Sequence, residues 1–353
     1  MRIEANRQAL LAAFKNVASL AGGQKEILNY VWTDGVSVYA TDSEIAASQA
    51  FKQGVVPVGP FLLHAQRVGS ILQELSCETV TIEVTDAGIR ISGGDGEFNL
   101  PTANPDEYPR SVSFVDKPTG SASIDAAVLR DAVGLCSPCV DESNSRFALG
   151  GIRVELTDDG VRFVATDGRR LVKVGSDGDA IASAVVPVKA MQLAAKASGP
   201  VSVEIGSNGI EFQSNGGYVA ARLIEGRYPD WRKVIPKKGG PEFAGASLDW
   251  FRCVKQAAIC CDQESRGLNL QIGESKATMQ ARTVDVGASR CEVDCNGSGS
   301  LALLVDWRYL ADFLRGVGDS VFTACCSGDA SPIRFDVGED TTCVLMPMSK
   351  DAT

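Results

Sequence analysis

Two echoes across long stretches of sequence constrain this chain more than any other feature. Val38-Tyr39-Ala40-Thr41-Asp42 returns about 125 residues later as Phe163-Val164-Ala165-Thr166-Asp167, and Glu107-Tyr108-Pro109 returns about 120 residues later within Gly226-Arg227-Tyr228-Pro229. Self-similarity at a fixed long period means one structural unit used repeatedly. A chain of 353 residues is too long for one ordinary core, and a period near 120 divides it into three units.

The segments around the echoes say what the unit contains. Residues 147–174 read as a strand, an Asp159-Gly160 hairpin turn and a return strand. Asp-Gly suits a two-residue turn because both positions need positive φ. In the return strand Val161, Phe163 and Ala165 face one side and Arg162, Val164 and Thr166 the other, the alternation of a half-buried strand. A polar turn over 166–171 is expected next. Asp34-Gly35 and Asn208-Gly209 mark further hairpins. Apolar residues at helical spacing predict six helices, over about 7–20, 64–75, 126–136, 188–197, 248–261 and 307–317. On the fifth, Phe251, Val254 and Ala258 are expected to face inward. The expected architecture is α+β: three repeated domains, 1–118, 119–241 and 242–353, each with two helices packed on antiparallel sheets.

Formal net charge is −10. Taken alone this argues against a nucleic-acid binder, since phosphate contact needs clustered Lys and Arg. The distribution argues the other way. Lys15 lies on the first predicted helix, Arg67 on the second, Arg130 on the third, Lys189 and Lys196 on the fourth, Arg252 and Lys255 on the fifth, Arg308 and Arg315 on the sixth. Arg308 and Arg315 fall together, opposite the apolar stripe of Leu310, Phe313, Leu314 and Val317. Basic helices in an acidic chain imply one shared surface facing something negative.

Other chemistries find little support. The 11 cysteines have no framework spacing and read as reduced, mostly buried thiols. Cys136-x-x-Cys139 lacks the second pair or the histidines of a zinc site, the one histidine being His64. No cofactor or metal is expected. Asp42, Asp167 and Asp230 have no acid–base partner, and GGDG at 93–96 lacks the lysine and helix of a phosphate loop. Catalysis is therefore not expected. No apolar run approaches about 18 residues, and the start MRIEANRQ lacks the apolar core of a signal peptide, so a soluble cytoplasmic protein is expected.

Four stretches resemble the bacterial DNA polymerase III beta subunit (beta sliding clamp) family. They are FVATDGRRL at 163–171, like the family's VATDGHRLA; GRYPDWRKVIP at 226–236, like GR(F/Y)PDYRRVLP; CVLMPM at 343–348, like YVVMPM; and FNLPTANPDEYP at 98–109, like the strand and irregular segment that end the family's first domain. They follow the family's order along the whole chain. The resemblance implies a head-to-tail homodimer closing a six-domain ring, with sheets outside and helices around a hole. Double-stranded DNA would pass through without sequence readout. It adds Arg146 to the DNA-facing residues.

The resemblance also implies a groove for short linear peptides of the replicative polymerase, the clamp loader and repair proteins. Its walls would be Leu149, Thr166, Gly168, Arg169, Arg170, Leu171, Pro229, Lys233, Val234, Tyr309, Val344, Met346, Pro347 and Met348. Such side chains make an adaptable apolar pocket, and Arg170 can orient a peptide's polar end. Tyr228 and Trp231 are expected to pack the linker rather than bind ligand. The chain departs from the family pattern at Arg169 (usually His), Lys233 (often Arg), Ser349 (often basic), Gln24 (often a DNA-contacting Arg) and Ala148 (one of two neighbouring tyrosines, Phe147 standing at the other). The departures at Arg169, Lys233 and Ser349 bear on motif preference; those at Gln24 and Ala148 support a second reading, a clamp-fold paralogue that binds partner peptides as a regulator without encircling DNA.

Overall fold

The computed structural model describes residues 1–23, 25–52, 59–110, 114–143, 148–284 and 286–349. The expectations for Gln24, Arg146 and Phe147 lie outside the described residues. The fold is α+β, with antiparallel pairing in four sheets. The chain forms two compact units, Met1–Leu129 with Lys189–Leu223, and Arg130–Val188 with Ile224–Thr353. The middle third of the sequence contributes to both.

The first unit holds a four-stranded sheet ordered Arg2–Asn6, Thr79–Thr85, Gly88–Gly93, Gly96–Leu100. Its eight-stranded sheet is ordered Phe61–His64, Tyr30–Thr33, Ser37–Thr41, Ile45–Ala50, Gly217–Arg222, Gly209–Ser214, Pro200–Ile205, Gly120–Asp125. Helix α1 (Arg7–Val17) starts on Asn6, whose side chain accepts the Ala9 N–H at 3.0 Å and so satisfies an orphan donor of the first turn. It buries Leu10, Ala13, Phe14 and Val17 and packs against α2 (Ala65–Glu74), which buries Val68 and Leu72. Helices α3 (Ala126–Cys136) and α4 (Val188–Ala194) lie where the chain passes from one unit to the other.

In the second unit a nine-stranded sheet is ordered Ala180–Pro187, Gly151–Thr157, Gly160–Thr166, Arg170–Val174, Thr341–Leu345, Ile333–Val337, Val321–Cys325, Glu242–Ala246, Asn296–Gly297. A four-stranded sheet runs Gly287–Asp294, Lys276–Thr283, Gly267–Ile272, Leu301–Asp306. Helices α5 (Ser247–Ala257) and α6 (Trp307–Gly316) pack on each other.

Three local expectations are corrected. The hairpin turn expected at Asp159-Gly160 is Asp158-Asp159, because Gly160 pairs with Thr157 and opens the return strand; Gly160 takes positive φ and Asp159 does not. Helix α5 turns Trp250, Cys253, Val254 and Ala257 inward, not Phe251 and Ala258. Trp250 decides the rotation: its indole stacks on Phe243 at 5.6 Å and donates to the Asp294 carbonyl at 3.1 Å. Arg170 and Leu171, expected in a turn, instead open the strand Arg170–Val174, which pairs with the C-terminal strand Thr341–Leu345. That pairing sets the GRRL segment beside the VLMPM segment from the far end of the sequence. Seven of the 11 cysteines are buried. Among the described residues no helix is long and apolar enough to cross a membrane.

Candidate peptide-binding groove

The site is built on a tight turn. Thr166 Oγ1 donates to the Arg170 carbonyl at 2.7 Å and accepts the Gly168 N–H at 3.1 Å, while Asp167 Oδ1 accepts the Arg169 and Arg170 N–H groups, both at 2.9 Å. Gly168 sits at φ 83°, the left-handed region that suits a residue without Cβ. The turn leaves Arg169 exposed and sends Arg170 inward, 9% exposed. Arg170 Nε donates to Asp167 at 3.0 Å, Nη1 to Asp312 at 2.9 Å and Nη2 to the Pro138 carbonyl, and the guanidinium stacks on the Tyr309 ring at 4.3 Å. Burial opposes its charge, but the Cys139 sulfur, Asp312 and Asp167 outweigh that and raise its pKa. Burial also pushes the Cys139 thiol up to about 12, so the aspartates are the physical counter-charges. Arg170 is thus committed to holding the wall, and Arg169 is the arginine that meets solvent.

The opposite wall is the strap that follows Gly226. Tyr228 Oη donates to the Val164 carbonyl at 3.1 Å, and Trp231 Nε1 donates to Glu155 Oε1 at 3.2 Å. Glu155 and Arg162 are both fully buried. Arg162 grips Glu155 through Nη2 at 2.5 Å and Nε at 2.8 Å, and gives Nη1 to the carbonyls of Ser176 and Gly178 at 2.6 and 2.7 Å. Arg153 adds a further bond to Glu155 at 2.5 Å. Burial pushes the Glu155 carboxyl up, but the bonds from Arg153, Arg162 and Trp231 outweigh it, so its pKa is lowered. A buried ion pair of this kind stands because every polar group in it is partnered.

Two cavities adjoin the turn, the first of them between the walls. One, of about 310 Å³, is lined by Leu149, Thr166, Asp167, Gly168, Arg169, Arg170, Leu171, Pro229, Trp231, Val234, Val344 and Met346. The other, of about 340 Å³, is lined by Glu264, Ser265, Arg266, Asp306, Arg308, Tyr309, Pro347, Met348 and Ser349, and shares Arg169 and Met346 with the first. Leu149, Leu171 and Val344 form a buried floor, while Val234 and Met346 stand 45% and 40% exposed at the rim. Of the groove residues expected from sequence, only Lys233 lines neither cavity; it is 83% exposed and paired to Asp230 at 2.9 Å. Trp231 packs the strap as expected but also lines the first cavity, and Asp167 joins it unanticipated. The chemistry on offer is apolar burial with one exposed cation at the joint. No nucleophile–base pair lies there, and among the described residues no cluster of His, Cys, Asp and Glu is placed to hold a metal ion.

The basic helix residues divide. Lys15, Arg67, Arg130, Lys189, Lys196, Arg252, Lys255 and Arg315 are exposed. Lys189 is paired with Asp42 at 3.0 Å, Arg252 with Asp249 at 3.3 Å and Arg315 with Asp312 at 3.0 Å. Arg308, on the same helix, is less exposed than Arg315. Its guanidinium folds back onto Asp306, the N-cap of α6, at 2.6 and 3.1 Å, and borders the second cavity.

Helices on antiparallel sheets, with an apolar groove assembled from distant segments, define a scaffold that presents a docking surface. Comparison with known proteins narrows the class. The N-terminal domain profile of the DNA polymerase III beta subunit matches residues 1–112 and its central domain profile residues 123–230. The beta sliding clamp of Pseudomonas aeruginosa is 23% identical over 370 residues, covering 99% of this chain and 100% of that protein; that of Caulobacter vibrioides is 24% identical over 375 residues, covering 99% and 100%. A crystal structure of the Pseudomonas aeruginosa sliding clamp bound to griselimycin superposes with a TM-score of 0.87 at 22% identity, covering 99% of both chains. The Bacillus subtilis clamp gives 0.86 at 20%, with the same coverage. The chain belongs to the DNA polymerase III beta subunit family, the bacterial beta sliding clamps, whose members are non-catalytic processivity subunits.

Proposed function

We propose that two copies of this chain close head to tail into a ring around duplex DNA, and that the groove between the GRRL turn, the strap and the C-terminal strand tethers the replicative polymerase, the clamp loader and repair proteins by short peptides. The carrying observation is the groove itself: a 310 Å³ apolar cavity assembled from three segments far apart in sequence, in a chain that matches clamps along its whole length. In this reading the domains are 1–118, 119–241 and 242–353, and the cell compartment is the cytoplasm. Threading makes strong contact unnecessary, so one or two exposed Lys or Arg on or beside each helix are enough to hold phosphates loosely while the ring slides. Lys15, Arg67, Arg130, Lys189, Lys196, Arg252, Lys255 and Arg315 are the DNA-facing set. Arg308 belongs with the groove.

Ring closure has a physical basis in two sheet edges. Gly96–Leu100 is the outer strand of its sheet and carries Phe98, 36% exposed. Gly287–Asp294 is the outer strand of another, flanked by exposed Val286 and by Ile259, 73% exposed, on the turn Ala258–Cys260 that packs against it. Unpaired edges with apolar residues invite a strand from another chain. Pairing one edge of each kind gives a heterologous contact that two copies close. The paralogue reading has less support, because the basic helix faces are retained.

The groove is tested with a fluorescein-labelled peptide ending in Leu-Phe. Met346→Ala with Val234→Ser, both at the exposed rim, should weaken capture at least tenfold, about 1.4 kcal/mol or more, and leave the dimer intact. Unchanged capture would move the site elsewhere. Leu171→Ala is a poorer probe, because Leu171 is 1% exposed and truncating a buried leucine costs about 2–5 kcal/mol of stability.

A further inference from the structure

The turn at the groove has a twin in the first unit. Thr41 Oγ1 donates to the Ile45 carbonyl at 2.8 Å and accepts the Ser43 N–H at 3.0 Å, and Asp42 Oδ1 accepts the Glu44 and Ile45 N–H groups at 3.1 and 2.8 Å. Each bond has its counterpart between Thr166 and Arg170. The correspondence extends to the left-handed third residue, Ser43 at φ 81° against Gly168 at φ 83°. A non-glycine residue is rarely held there, so the frame, not the residue, dictates the conformation. The adjoining sheets agree. Ala46 pairs with Ala220 as Leu171 pairs with Val344. The Arg222 N–H bonds to the Glu44 carbonyl at 2.9 Å, as the Met346 N–H bonds to that of Arg169 at 2.9 Å.

The two frames differ in what fills them. Where the groove has Leu171 and Val344 on its floor, the first unit has Ala46 and Ala220, and the space goes to rings. Tyr39, Tyr108 and Phe114 are 3%, 4% and 7% exposed in one cluster with those alanines. Tyr39 and Tyr108 meet edge to face at 6.0 Å. Phe114 follows Tyr108 by the same number of residues as Val234 follows Tyr228, yet Val234 is at the rim and Phe114 is buried. At the place of Met346 stands Arg222, whose guanidinium lies 5.6 Å from the Phe114 ring and 3.6 Å from the Glu44 carboxylate.

We infer that the first unit carries a second copy of the peptide groove, occupied by the chain's own aromatic rings and latched at its mouth by Arg222, Phe114 and Glu44. Two frames of one design therefore give one peptide site per chain, and opening the latch yields a second site for the same class of ligand, a short peptide with apolar side chains. The inference rests on the reading of the 149–348 groove as the peptide site.

Calorimetry of the full-length protein with the peptide ending in Leu-Phe tests it. Wild type should bind one peptide per chain. Arg222→Met with Phe114→Val, which installs the residues of the open groove, should bind two. The same pair placed on Met346→Ala with Val234→Ser should restore binding to a protein that has lost it. Two peptides on wild type, or one on an Arg222→Met, Phe114→Val protein that melts like wild type, would overturn the latch. If wild type binds none, the groove reading fails by itself, and the latch is then judged by whether the variant pair creates binding. Should the pair unfold, Arg222→Met alone decides. Its exposed substitution should let a photoactivatable peptide crosslink to residues 41–46, and absence of that crosslink counts against the latch.

Discussion

Glu155 is the residue on which the strap depends. It takes bonds from Arg162, Arg153 and Trp231 while fully buried, and Trp231 carries that order to the cavity wall. Glu155→Ala leaves Arg162 buried without its carboxylate, which should cost about 3–5 kcal/mol of stability, read as a lower denaturant midpoint. Its carboxyl pKa lies below the ordinary 4.5. The stabilisation is therefore fully present above about pH 4.5 and is lost as pH falls through the lower folded value, because the unfolded state then binds the proton first. Wild type should lose stability over that acid range more steeply than Glu155→Gln; equal slopes would mean that the carboxylate does not hold the strap. The sequence displays this residue poorly. Thr166, Gly168, Arg170 and Met346 stand in compact motifs, whereas Glu155 is one polar position on a strand and its partner Trp231 lies 76 residues away.

At the level of elements, local pattern served well where the decisive contacts were local. Helix α1 follows its apolar spacing and the Asn6 cap, and a hairpin forms between Gly151–Thr157 and Gly160–Thr166, though its turn is Asp158-Asp159 and Gly160 already pairs with Thr157. Pattern misled where a distant partner decides. The rotation of α5 follows Trp250, which stacks on Phe243 and bonds to Asp294. Leu171 pairs on one side with Thr166 and on the other with Val344, and Arg170 joins the strand through Leu345 from the end of the chain. The free edges make a prediction at this scale. Phe98→Asp places a charge on one edge strand and Ile259→Asp places one beside the other, and each should shift the protein from dimer to monomer in sedimentation while peptide binding stays within about twofold, under about 0.5 kcal/mol. A dimer that persists in both variants would place the closing contact elsewhere.

For the whole molecule, an acidic chain serving DNA is no contradiction once the charge is distributed. Net charge of −10 repels unspecific wrapping, while exposed Lys and Arg on the helices offer phosphates a weak, salt-screened hold. The likeness of the first two repeats was readable from the Thr-Asp and Tyr-Pro echoes. The closed twin of the groove was not, since only the folded chain shows Ala46 and Ala220 beneath the rings of Tyr39 and Phe114. Retention on DNA tests the central claim most directly. After loading by a clamp loader onto nicked circular DNA, the protein should remain through gel filtration, and cutting the circle once should release it within minutes, because a threaded ring leaves only over an end. Equal retention on circular and linear DNA, or equal loss from both, would contradict a sliding ring.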